Sequence, residues 1–130
     1  MSTHEELLAM AADAASRSYS PYSKFRVGAA LATKDGSTYT GANIENAAFG
    51  ATICAEANAI TTAAANGIRA VDTVAVVCLD GELCTPCGNC RQIMREFGVR
   101  TVVMANPDGS PNPVALAELL PLSFGPEALD

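Results

Sequence analysis

Cys54-Ala55-Glu56, read together with the later run Thr85-Pro86-Cys87-Gly88-Asn89-Cys90, decides how the rest of the chain is read. Each run opens a predicted helix. Cys87 and Cys90 are three residues apart, so they share one face of a helix's first turn. Thr85 suits the N-cap and Pro86 the first helical position, which predicts that this helix begins there. The partial positive charge of a helix N-terminus lowers the pKa of cysteines placed on it, and thiolate is the form that ligates zinc. With Cys54 leading an Ala-rich segment, three sulfurs can converge on one ion while Glu56 stands just behind the first.

Outward from these runs, residues 55–66 read as a helix stopped by Gly67. Ala55, Ala57, Ala59, Ala63, Ala64 and Ala65 put small side chains on nearly every face of it. That fits high helix propensity, and equally fits close approach by several neighbours, a second subunit among them. The apolar run 71–79 predicts a buried strand, turned at Asp80-Gly81. The helix from Cys87 runs to Phe97, with Gly98 as its stop. Residues 101–105 form a strand, 106–109 a turn, and 114–120 a short strand end and helix. Upstream, Thr3 with Glu6 reads as a capping box, and Leu7, Met10, Ala11 and Ala14 make a helical stripe. Residues 18–23 break that helix. A strand follows at 25–33, then Asp35-Gly36 as a hairpin turn into a second strand at 38–43. Residues 44–53 are irregular and deliver the chain to Cys54. Helices alternating with strands predict an α/β fold, a three-layer α/β/α sandwich in which residues 1–130 form a single domain.

Composition bounds the function. Of the 130 residues, 49% are hydrophobic and only 17% charged, which implies either an Ala-rich core or apolar surface covered by other subunits. No apolar run approaches the ~20 residues of a membrane span. The polar, acidic N-terminus is unlike a signal peptide, and five cysteines without an export signal imply reduced thiols in a cytosol. A net charge of −6 makes polyanions poor partners, which argues against nucleic acid.

The cysteines leave alternatives. Cys78, mid-strand, reads as a small apolar core residue. Cys87 and Cys90 alone could be a redox dithiol or half of a zinc site. Cys84 extends the pattern to C-x-x-C-x-x-C, so a closed four-cysteine zinc site is a second reading. An iron–sulfur run is a third, although that pattern's further Cys and Pro are missing. Against Cys84 stands its place before Pro86, off the helical face that aligns the other two. His4 is the sole histidine, so no His-based metal site or Ser-His-Asp triad can be built.

Cys54-Ala55-Glu56 followed by Pro86-Cys87-Gly88-Asn89-Cys90-Arg91-Gln92 resembles the small cytidine deaminases, the all-cysteine, homotetrameric branch. The resemblance extends to Tyr22-Ser23-Lys24-Phe25-Arg26-Val27-Gly28-Ala29-Ala30, to Thr40-Gly41-Ala42-Asn43-Ile44-Glu45-Asn46-Ala47, and to Glu118-Leu119-Leu120-Pro121 with Ser123-Phe124-Gly125-Pro126. It implies a mixed five-stranded sheet and a zinc-dependent hydrolytic deaminase of cytidine and deoxycytidine serving pyrimidine salvage. Cys54, Cys87 and Cys90 are then the metal ligands, and Glu56 is the proton shuttle. The Ala55 carbonyl would accept from the exocyclic amine, Asn43 and Glu45 would hold the ribose, and Phe25 would pack on the base. Phe49 and Phe124 would complete a neighbouring subunit's pocket.

Two other functions stay open: a deaminase of another aminopyrimidine nucleoside, resembling the blasticidin S deaminases, and a non-catalytic zinc module. The Asn43-x-Glu45 pair argues against the first, and Glu56 against the second. One departure stands out. Many all-cysteine members carry Arg directly after Cys-Ala-Glu, where it donates to the thiolates, whereas this chain has Ala57. Arg91 and the helix N-termini are the positive influences that remain.

Overall fold

The computed structural model describes residues 2–81 and 84–129. Helix α1 (His4–Ala15) starts at the expected capping box: Thr3 Oγ1 accepts from the Glu6 amide, and the Glu6 carboxylate accepts from the Thr3 amide. Its buried stripe is Leu7, Leu8, Ala11, Ala14 and Ala15. Strands β1 (Val27–Ala32) and β2 (Thr38–Ala42) form the predicted hairpin, whose turn places Gly36 at φ 94. Helix α2 (Ala55–Ala65) follows, then β3 (Thr73–Cys78), α3 (Gly88–Glu96), β4 (Thr101–Ala105), β5 (Pro111–Ala115) and a single turn, α4 (Leu116–Leu119).

The strands make one five-stranded sheet in the order β2-β1-β3-β4-β5, antiparallel except for the parallel β3–β4 pair. The sheet is therefore mixed, and the layers are the predicted ones. On one face α1 buries Leu7, Leu8 and Ala11 against Ala30, Ala75 and Val103. On the other, α2 and α3 bury Ala59, Ile60, Ala63, Cys90 and Met94 against Leu31, Val74, Val76 and Val102. β1 is apolar on both faces because it is covered twice. Both helices sit close enough to demand glycine beneath them. A Cβ at Gly28 would lie 1.9 Å from the Ala11 carbonyl oxygen, and one at Gly41 would lie 2.4 Å from the Ala59 nitrogen. Gly41 thus sets how low α2, with Cys54 at its head, rides over the sheet.

Two expectations need correction. The last strand was expected near 114 but begins at Pro111. Pro111 and Pro113 alternate with Asn112 and Val114, so their missing N–H groups fall on one side of an edge strand, where no ladder bond is lost. Helix α3 does not start at Thr85-Pro86. Cys87 is its N-cap, with φ −68 and ψ 167, and Thr85 and Pro86 precede it outside the helix.

No described helix is long and apolar enough to cross a membrane. Near the C-terminus Leu122 holds φ 53 with its side chain fully exposed. A left-handed backbone costs a β-carbon residue about 1 kcal/mol, and asparagine tolerates it better. Leu122→Asn is expected to raise unfolding stability by roughly 0.5–1 kcal/mol in denaturant titration, since little burial is given up.

Candidate metal and nucleoside site

Cys54 is the N-cap of α2, so the N-termini of α2 and α3 meet at one place on the sheet. The Cys54 and Cys87 sulfurs are 3.9 Å apart, and those of Cys54, Cys87 and Cys90 all lie within 4.8 Å of one another. Two sulfurs of a tetrahedral zinc site, each about 2.3 Å from the ion, stand about 3.8 Å apart. The donor set therefore fits zinc, with three ligands and one position left over. The corrected helix start explains part of this geometry. With Cys87 at the cap, its sulfur sits by the first-turn amides of α3, that of Cys90 among them, without a capping hydrogen bond. Burial works against that thiolate, but the Cys90 amide and the neighbouring thiols outweigh it and hold Cys87 below the usual thiol range. Burial pushes Cys54 and Cys90 up, and nearby negative charge adds to both.

Cys84 is not part of this cluster. Its thiol is pushed up to about 12, by burial first, then by the adjacent Cys78 and by Glu56. It shares a cavity's lining with Cys78, a free thiol that ends β3 half-buried and so is not the plain core residue expected. The closed four-cysteine arrangement is therefore absent from the described residues.

Glu56 is 5% exposed, and burial raises its pKa against the opposing pull of its own amide and Cys90. Ala55 occupies the first helical position of α2. Its carbonyl belongs to the helix ladder and lies against Gly41, where a Cβ would be 2.7 Å from its oxygen. The expected carbonyl contact is therefore closed to a ligand. The amide of Ala55, one of the helix's unpaired first-turn donors, is the group left at the site.

Arg91 does not donate to the sulfurs. Its Nε donates to the Pro86 carbonyl at 2.8 Å and its Nη1 to the Leu119 carbonyl at 2.7 Å, tying the approach to Cys87 to the C-terminal segment. Ala57 is buried in α2, so the helix N-termini and the Cys90 amide are the positive influences on the thiolates.

Asn43 and Glu45 follow β2, and both side chains are heavily engaged. Asn43 Oδ1 accepts from the Val27 amide and the Ser18 hydroxyl, and its Nδ2 donates to the Phe25 carbonyl at 2.8 Å, leaving one amide hydrogen free. Glu45 Oε1 accepts from the amides of Tyr22 and Ser23 at 3.0 and 3.1 Å, while Oε2 accepts from the Ser23 hydroxyl. The Ser23 hydroxyl foremost keeps Glu45 below the usual carboxylate range, with burial opposing and the Ser23 and Tyr22 amides assisting. A cavity of about 460 Å³ is lined by Tyr22, Ser23, Glu45, Phe49 and Thr52. Phe25 is 38% exposed and Phe49 75%, the latter meeting Tyr22 edge-on with ring centres 6.0 Å apart. Phe124 lies away from this cavity's lining, 62% exposed, with its carbonyl held by Gln92. Residue-by-residue reading missed the clamps made by Ser18, Tyr22 and Ser23. Their only signal was that Tyr22 and Ser23 sit within a motif.

The family model for the cytidine and deoxycytidylate deaminase zinc-binding region matches residues 1–106. The chain is 42% identical over 127 residues to a cytidine deaminase of Sporosarcina psychrophila, covering 96% of this chain and 93% of that protein. It is 43% identical over 126 residues to one from Halalkalibacterium halodurans, covering 95% and 96%. Among solved structures, the cytidine deaminase of Burkholderia pseudomallei superposes with a TM-score of 0.88 at 41% identity, over 95% of this chain and 100% of that one. That of Mycobacterium tuberculosis gives 0.80 at 38%, over 92% and 94%.

Proposed function

The chain belongs to the cytidine and deoxycytidylate deaminase family, and from that premise we propose that Cys54, Cys87 and Cys90 hold its zinc while Glu56 moves the protons of cytidine deamination. It is a zinc-dependent enzyme that hydrolyses cytidine to uridine and ammonia. The observation that carries the residue roles is the convergence of three sulfurs beside a buried carboxyl two residues from the first. When bound, zinc supplies the Lewis acidity that makes water a nucleophile near neutral pH.

The chain's own groups do the rest. Glu56 takes a proton from the attacking water and passes it to ring N3, then takes the second proton from the hydroxyl added to the ring and gives it to the departing amine, as general acid–base chemistry requires. The Ala55 amide donates to the base's ring carbonyl and orients it. Phe25 covers the base. Glu45, kept anionic, accepts from a sugar hydroxyl, and the free amide hydrogen of Asn43 adds a donor beside it.

An anionic Glu45 repels a nucleotide phosphate, which favours free nucleosides, deoxycytidine included. Glu45→Gln is expected to raise KM for cytidine and to shrink the preference for cytidine over free cytosine about 10-fold, the usual weight of a charged hydrogen bond. An unchanged preference in steady-state assays of both substrates would remove Glu45 from sugar recognition.

We further propose that residues 1–130 act as one domain in a cytoplasmic homotetramer serving pyrimidine salvage, with Phe49 and Phe124 reaching a neighbour's pocket. Tyr22, Phe49, Ile53 and Phe124 are 46–75% exposed, more large apolar surface than a lone chain usually leaves in water. Light scattering is expected to give four times the chain mass of 13.4 kDa. A monomer that still turns over cytidine would contradict the shared pocket.

A further inference from the structure

Both backbone polar groups of Phe25 are held by side chains. Its amide donates to Ser23 Oγ at 3.0 Å, and its carbonyl accepts from Asn43 Nδ2 at 2.8 Å. Between Ser23 and Phe25 the chain passes through Lys24 in the left-handed region, φ 60, with the Lys24 amide donating to the Ser20 carbonyl at 3.0 Å. A residue with a β-carbon keeps that conformation only where its surroundings over-determine it. The surroundings here are few. The Ser23 hydroxyl accepts from Phe25 on one side and donates to Glu45 Oε2 on the other. A hydroxyl has one proton, and an ionised carboxylate can only accept. The proton must therefore point at Glu45, which leaves the Ser23 lone pair for the Phe25 amide.

We infer that Ser23 is a positioning residue that couples sugar recognition to base recognition, setting the place of Phe25 according to the state of Glu45. This rests on the roles proposed above for Phe25 and Glu45. A carboxylate offers about four acceptor sites. Three on Glu45 are taken, by the Tyr22 amide, the Ser23 amide and the Ser23 hydroxyl, so it has room for a single further donor. A nucleoside fills that place with one sugar hydroxyl. In doing so it draws on the oxygen that also orients Ser23, and through Ser23 it bears on the loop that carries Phe25. The coupling explains why the aromatic stands on a strained turn ahead of β1 when the sheet could have held it: a strand position would not respond to the sugar.

The test is a pair of double-variant cycles on zinc-loaded, full-length protein with cytidine as substrate. Ser23→Ala alone is expected to lower kcat/KM roughly 10- to 100-fold at unchanged zinc content, while Ser23→Thr, which keeps the hydroxyl, stays within about threefold of the parent. The Ser23→Ala effect should shrink to under about threefold in a Glu45→Ala background, and again in a Phe25→Ala background. Shrinkage with Glu45→Ala but full effect with Phe25→Ala would mean that Ser23 serves the sugar contact alone, and the coupling falls. If Glu45→Ala by itself leaves kcat/KM for cytidine unaltered, the sugar role of Glu45 is the reading that fails. Should Ser23→Ala not load zinc, Ser23→Cys carries the test. It is close in size but hydrogen-bonds weakly, so it must show the 10- to 100-fold loss, and parent-like activity would overturn the inference.

Discussion

Glu56→Gln is expected to give a folded, zinc-loaded protein that binds cytidine and turns it over about 10²–10⁴-fold more slowly than the parent. The substitution keeps the size and hydrogen-bonding reach of the side chain at a site only 5% exposed, so packing around the head of α2 is preserved. What it removes is the ability to take a proton and return it. The native carboxyl can do both, with burial raising its pKa and so favouring its protonated form, and the amide cannot substitute at any pH. Because the loss falls on the chemical step, kcat should drop with little change in substrate affinity, measured by equilibrium binding of cytidine to the variant. Near-normal turnover would remove the proton-shuttle role.

The second large effect separates the cysteines. Cys87→Ser is expected to lose both zinc and measurable activity, because it breaks a set of three sulfurs and leaves only Cys54 and Cys90. Cys84→Ser is expected to keep about one zinc per chain and turnover within a few-fold of the parent. Its thiol faces Cys78, lies outside the cluster, and is pushed up to about 12, first by burial, so it is a neutral thiol at the pH of the assay. Metal analysis of the two purified variants decides this directly. Zinc lost from Cys84→Ser and retained by Cys87→Ser would reverse the assignment.

Much of this was legible because it is local. The capping box needs only Thr3 and Glu6 and the hairpin only Asp35-Gly36, while in the sulfur cluster the local part is the Cys87–Cys90 spacing, which Cys54 joins from 33 residues away. The failures come from contacts that span the chain. Thr85 and Pro86 have the chemistry of a helix start, but Arg91, anchored to the Leu119 carbonyl 28 residues on, also holds the Pro86 carbonyl, and Cys87 becomes the cap. Tertiary geometry overrode propensity there. Pro111 and Pro113 hid β5, because the sequence does not say which strand is an edge. Asn43 and Glu45 were found as a pair, but their partners Ser18, Tyr22, Ser23 and Val27 lie 16–25 residues away, beyond any local pattern. The Ala55 carbonyl illustrates a third kind of miss. A motif names the residue, and only the helix ladder tells which of its two backbone groups is free.

The most direct measurement follows ultraviolet absorbance as the zinc-loaded protein acts on cytidine, deoxycytidine, cytosine and cytidine monophosphate under identical conditions, with ammonia assayed in parallel. The expected result is steady conversion of both nucleosides with one ammonia released per base, slight action on cytosine or the monophosphate, and loss of activity when a chelator strips the zinc. Fully zinc-loaded protein that converts neither nucleoside, or that keeps its full rate after the zinc is gone, would contradict the account.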